Sequence, residues 1–167
     1  MTHHKDQLKR NHTFLDFLYW NLVIAVPFFT ACAAIARHSM VWLVGYIICC
    51  VLLAIVLLRF YCTHCPHYLR DGSKLKCMFF WAVPKRFKPR PDSLNIVDKV
   101  ISATVLIIII LLPLYWLWLQ PALLVIYLLS WGVAMATLRR YECHRCVYFE
   151  CPSNCVPKNL RTNSNNQ

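Results

Sequence analysis

The chain has 167 residues, 59% of them hydrophobic and only three of them glycine, with a formal net charge of +11 and a positive mean hydropathy. That balance is too apolar for a water-soluble domain of this length and makes the lipid bilayer its solvent. Nucleic-acid binding draws no support from the charge, because the basic residues lie close to the ends of apolar runs.

A membrane span needs roughly 20 apolar residues, and four such runs follow one another at 15–36, 40–58, 99–119 and 121–138. A basic N-terminus, residues 1–14, precedes the first. Asp16 and the aromatic run from Phe14 to Trp20 do not fit a cleaved signal peptide, so the first span is expected to be retained. Arg37-His38-Ser39 separates the first two runs. Residues 100–138 carry no charge, a stretch about twice what one helix needs, and Gln120-Pro121 is expected to split it into two. Pro27 and Pro113 lie inside their spans and predict kinks. Trp20, Trp42, Trp116, Trp118, Tyr115 and Phe79-Phe80-Trp81 are expected in interfacial aromatic belts.

The predicted fold is therefore an all-α integral membrane protein. Its four transmembrane helices form two tandem hairpins, 15–58 and 99–138, joined by a loop over 59–98 rich in cysteine, aromatics and bases, and followed by a Cys-rich tail over 139–167. Of the 18 Lys and Arg residues, three precede the first span, nine lie from Arg59 to Lys99 and five lie from Arg139 onward; only Arg37 is on the other side. The positive-inside rule then makes both termini and the loop cytoplasmic, as in a multi-pass protein of a prokaryotic inner membrane.

The halves read as copies of one unit. Cys62 and Cys143 are 81 residues apart, and superposing them aligns Arg59-Phe60-Tyr61-Cys62-Thr63-His64-Cys65 with Arg140-Tyr141-Glu142-Cys143-His144-Arg145-Cys146. A shift of 82 carries Asp16 onto Asp98, each at the mouth of a span. Two-span repeats run parallel and are related by an axis along the membrane normal, which delivers both C-x-x-C motifs to one face. Asp16 and Asp98 suit helix capping or pairing with a nearby cation.

Chemistry is concentrated in the ten cysteines. Cys32, Cys49 and Cys50 fall inside spans, whereas Cys62, Cys65, Cys77, Cys143, Cys146, Cys151 and Cys155 fall in the basic segments. In a reducing compartment clustered thiols read as metal ligands or redox groups. The tail, Cys143-x2-Cys146-x4-Cys151-x3-Cys155-x-Pro157, offers four thiolates within 13 residues, a density suited to a zinc ion or an iron–sulfur cluster. Over about 15 residues it resembles the ferredoxin run C-x2-C-x2-C-x3-C-P, with a longer second gap and with Val156 before Pro157. Cys62, Cys65 and Cys77 could instead be joined by His64 or His67 in a Cys3His site. A further arrangement places Cys62, Cys65, Cys143 and Cys146 in one site between the hairpins, leaving Cys77, Cys151 and Cys155 for a second with an open position. The cations Arg59, Arg70, Arg140 and Arg145 would offset thiolate charge and raise a cluster's potential, which favours iron–sulfur over zinc.

The expected function is a membrane subunit that binds metal or an iron–sulfur cluster and passes electrons between a redox partner protein and the membrane, with a quinone as candidate acceptor. A zinc-stapled anchor of a larger complex would show the same cysteines. Cys49-Cys50, followed by the inner C-x-x-C, is similar to the paired cysteines of mercuric-ion transporters and implies soft-metal transport as a third class; apolar packing is the plainer role for these two. The lack of cysteines at the Arg37–Met40 and Gln120–Pro121 turns argues against the thiol-oxidising membrane enzymes of the disulfide-forming and vitamin K reductase types, and the sequence offers no hydrolase constellation.

Overall fold

The computed structural model describes residues 8–9, 12–69, 72–92, 94–147, 149 and 154–157; Cys151 and Arg70 lie outside the described residues. Four helical segments are long and apolar enough to cross a membrane: Phe14–Ala36, Met40–His64, Ile96–Trp118 and Pro121–Cys143. Within them run α1 (Phe14–Ala36), α2 (Met40–Phe60), α4 (Ile96–Leu111), α5 (Leu114–Trp118) and α6 (Pro121–Thr137), with a short α3 (Pro66–Leu69) in the loop.

Local chemistry sets the ends. Thr13 caps α1: its hydroxyl accepts the Asp16 N–H at 3.3 Å while the Asp16 carboxylate accepts the Thr13 N–H at 2.7 Å, a reciprocal capping box. α1 passes through Pro27 without a break and stops at Arg37, where His38 and Ser39 both donate to the Ile35 carbonyl. Pro113 does interrupt its span: α4 ends at Leu111 and α5 starts at Leu114. Beside this break the Tyr127 hydroxyl donates to the Ile110 carbonyl at 2.9 Å, giving a helix-end oxygen the partner that hydrocarbon cannot supply. Pro121 then opens α6 at its first turn, where a missing N–H costs nothing.

α1 packs most extensively on α6 and next on α2, while α2 packs on α4. The core between them is Ala31, Ala34, Ile35, Tyr46, Leu117 and Tyr127. The small Ala31 and Ala34 allow close approach of backbones, which is how helices associate where lipid removes the hydrophobic drive. Outer faces carry Leu22, Phe29, Val41, Leu52, Leu129 and Val133, all more than half exposed, so the surface is apolar where lipid would meet it. At one end the two turns are clamped: Gln120 Nε2 donates to the Ala34 carbonyl at 3.0 Å and Arg37 donates to Gln120 Oε1 at 3.3 Å. Trp42, Tyr115 and Trp118 are exposed, as interfacial aromatics should be. Trp20 departs from that expectation: it is buried, its indole N–H donating to Glu142 Oε1 at 3.2 Å.

The segment between α2 and α4 is more structured than its composition suggested. After a single 3-10 turn at Cys62–His64 and the short α3, an antiparallel hairpin forms from β1 (Lys74–Lys76) and β2 (Trp81–Pro84). Lys74 pairs with Pro84, Leu75 with Val83 and Lys76 with Trp81, which leaves Ala82 as the extra residue of a bulge at φ 60°. Gly72 leads into β1 at φ 113°, a conformation only glycine adopts without strain. A Cβ at Gly72 would touch nothing within 4 Å, so the cost of a side chain there is purely conformational. Gly72→Ala should therefore weaken the hairpin by about 1–2 kcal/mol and Ala82→Gly should strengthen it by up to about 1 kcal/mol. Amide hydrogen exchange of Leu75 and Val83 reads both, faster in the first variant and slower in the second; equal exchange in all three proteins would refute the assignment of strain.

Candidate metal centre

Opposite the clamped turns, the ends of both helix pairs and the loop converge. The first C-x-x-C follows directly on α2: Tyr61 ends the helix, and the Cys65 N–H closes the turn on the Cys62 carbonyl at 3.0 Å. Cys77 occupies the tip of the β-hairpin, its own N–H donating to the Phe80 carbonyl at 2.9 Å. The Cys77 sulfur in turn receives the backbone N–H groups of Phe79, Phe80 and Met78, and the Cys65 sulfur receives that of His67. Such donors favour a thiolate and are the usual surroundings of a metal-bound sulfur.

Burial works against them. It pushes the Cys77 thiol up despite the three N–H donors, with Glu142 adding to the rise. Burial also pushes the Cys65 thiol up, helped by the nearby sulfurs of Cys77, Cys62 and Cys146. Cys65 thus lies within electrostatic reach of two loop cysteines and one tail cysteine. Among the described residues, no group of three or more His, Cys, Asp or Glu side chains converges closely enough to hold a metal ion. The donor chemistry fits a thiolate-bound metal; the convergence on a single point does not.

The remaining cysteines divide. Cys143 sits in a π-helical turn, Leu138–Cys143, that continues α6, and its carbonyl accepts the Cys155 N–H at 3.1 Å. Cys146 is bridged to the N-terminal segment at Lys9, whose N–H donates to the Arg145 carbonyl at 2.7 Å, and the Asn154 side chain donates to the Cys146 carbonyl. Cys32 and Cys50 pack against the core cluster, and Cys50 is hydrogen-bonded to Tyr46. Cys49 is half-buried on the same helix. The two loop histidines face other groups. His64 Nδ1 lies 2.8 Å from the Asp92 carbonyl and its Nε2 lies 3.4 Å from Asp98 Oδ2 without hydrogen-bond geometry, while the His67 ring lies 4.4 Å from that of His12.

A set of polar residues that the cysteine pattern did not point to holds this end together. Lys9 Nζ bridges Asp16 at 2.9 Å and Glu142 at 2.8 Å, and His12 Nδ1 lies 4.0 Å from each carboxylate. Trp20 completes the group through Glu142. On the other side Asp98, buried at the start of α4, faces His64 from the end of α2 and lies 3.8 Å from Arg90, whose N–H donates to the Thr63 carbonyl at 3.0 Å. The second helix pair thus supplies two carboxylates, Glu142 and Asp98, each met by residues of the first pair or of the segments flanking it. For the first group the sequence points to Asp16 as a capping or paired acid; the further signal is Glu142, an acid placed directly before Cys143 and after two arginines.

Burial, together with the Lys9 charge, lowers the His12 pKa, and this outweighs the pull of Glu142 and Asp16. A histidine with a depressed native pKa contributes stability that is fully present above its unfolded value of about 6.5 and is lost as pH falls through and below that value. Thermal unfolding in detergent should therefore show a loss of stability between about pH 7.5 and 5.5 that is smaller in His12→Gln. Parallel pH profiles for the two proteins would show that His12 is not held neutral.

No protein-family model, curated protein or solved structure matches the chain.

Proposed function

We propose that the protein is a metal-binding membrane subunit in which Cys62, Cys65, Cys77 and Cys146 hold one thiolate-ligated centre where its two hairpins end. The observation that carries this reading is the pair of N–H-cupped sulfurs, three donors on Cys77 and one on Cys65, set beside the sulfurs of Cys62 and Cys146. Among the described residues these sulfurs do not meet at one point, and binding a cation would draw them together and release their protons. A zinc ion would supply that charge and no redox chemistry, fastening the loop and tail to each other as a structural staple. A staple of this kind suits a small anchor of a larger membrane complex.

The pairing of α1 with α6 and of α2 with α4 supports the tandem-repeat reading, since a twofold axis along the membrane normal exchanges these two contacts. The same axis relates Asp16 to Asp98. With the cations of loop and tail gathered at this end, the cysteine-bearing face is assigned to the cytoplasm and the membrane to a prokaryotic inner membrane.

Electron transfer through an iron–sulfur cluster is the second reading. N–H donors on the Cys77 sulfur and the neighbouring cations Arg59, Arg140 and Arg145 would raise a cluster's potential, and the tail run with Cys143, Cys151 and Cys155 adds further thiolates. Soft-metal transport, with Cys49 and Cys50 as relay, is the reading least supported, because Cys50 packs on the core.

Anaerobic purification in detergent, followed by metal analysis and a visible spectrum, separates these. The expected result is a colourless protein with one zinc per chain, depleted in Cys65→Ala and Cys77→Ala and retained in Cys49→Ala/Cys50→Ala. A brown protein with iron and acid-labile sulfide, bleached by dithionite, would replace the staple with a redox subunit. Metal that is absent from the wild type, or unaffected by the Cys65 and Cys77 changes, would overturn the proposal.

A further inference from the structure

A groove of about 370 Å³ opens beside the loop end of α2. Ile55 and Leu58 of α2 form one wall, and Leu75, Val83 and Pro84 of the β-hairpin form the other, with Phe87 beyond them. Ile55 lies on the lipid-facing surface of α2, 45% exposed, so the apolar part of the groove is reached from the hydrocarbon side. Tyr68 also lines it, but its hydroxyl donates to the Phe87 carbonyl at 2.8 Å and accepts the Phe87 N–H at 3.1 Å. That hydroxyl shapes the wall and leaves Arg86 as the charged group at the groove.

Arg86 is exposed and has no ion-pair partner among the described residues. Lys85 Nζ stands 5.7 Å from the Tyr68 ring and Arg59 stands 5.9 Å from the Phe87 ring, so two more cations flank the groove through aromatic faces. Residues 72–90 contain six cations and no acid. A groove that is apolar toward the bilayer and whose charged lining, among the described residues, is the Arg86 guanidinium matches one kind of molecule in its surroundings.

We propose that this groove binds an anionic glycerophospholipid, with part of one acyl chain between α2 and the hairpin and the phosphate on Arg86. A guanidinium suits that position because its planar donors can take two phosphate oxygens at once. The lipid braces the hairpin that carries Cys77 against the membrane end of α2. Nothing in this assignment depends on the identity, or the existence, of a metal centre.

Native mass spectrometry of the purified chain tests it, with phosphatidylglycerol and phosphatidylcholine of identical acyl chains added in turn. Phosphatidylglycerol should be retained in one copy and preferred by about fivefold or more, as expected for loss of a single surface cation contact. Arg86→Gln should remove that preference, and Val83→Trp, which fills the apolar end, should reduce retention of both lipids. Arg139→Gln/Arg140→Gln, which removes two cations elsewhere, should leave retention unchanged. Equal retention of the two lipids by the wild type, undiminished binding in both groove variants, an equal loss in the Arg139/Arg140 control, or a co-purified quinone lost in Val83→Trp would each overturn the proposal.

Discussion

A carboxylate at the edge of an apolar helix bundle cannot be left bare, and in this protein residues of the first helix pair meet two carboxylates of the second. Glu142, at the end of the second pair, is held by Lys9 and Trp20 from the first; Asp98, at the start of the second, faces His64 from the end of the first. Their side chains are only 12% and 7% exposed, so removing a partner would leave a desolvated charge at a cost of several kcal/mol, on the order of what breaking a buried ion pair costs. Helix packing within lipid is comparatively undirected, since apolar faces gain little over their contacts with acyl chains. The two carboxylates of the second pair supply direction, tying its ends to those of the first.

The arrangement of the cysteines follows from that alignment. Asp98 lies 3.4 Å from His64, in the turn between Cys62 and Cys65, and Glu142 holds the turn containing Cys143 through Lys9 and Trp20. The hairpin between them brings Cys77 to the same place with its sulfur already cupped by backbone N–H groups. Opposed effects meet there: oriented N–H dipoles favour a thiolate, and burial forbids it unless a cation arrives.

The spans were legible because hydrocarbon imposes a length and forbids charge. Boundaries at Phe14, Ala36, Met40 and Pro121 follow from a capping Thr, a polar tripeptide and a proline, all local signals. The interruption at Pro113 was legible for the same reason. Trp20 was misread as an interfacial anchor because its spacing cannot reveal Glu142, a partner 122 residues away. The β-hairpin was missed because strands of three and four residues leave almost no periodicity, and Lys74-Leu75-Lys76 looks like any basic loop. Among the cysteines, the C-x-x-C pairs were visible as motifs. The grouping of Cys77 with Cys62 and Cys65 was legible from their shared loop, whereas the bulged hairpin that carries Cys77 was not. Cys151 lies outside the described residues, so the tail run enters the structural account only through Cys143, Cys146 and Cys155.

The account stands on the claim that the first and second helix pairs bring their C-x-x-C motifs together. A chain stripped of all cysteines except Cys65 and Cys146, treated in detergent with a short bifunctional thiol reagent and digested with trypsin, measures this directly by mass spectrometry. The predicted result is a peptide containing Cys65 joined to one containing Cys146, in far higher yield than from a control chain retaining only Cys32 and Cys146. Equal yields from the two chains, or no Cys65–Cys146 product, would contradict the convergence on which both the carboxylate contacts between the pairs and the proposed centre depend.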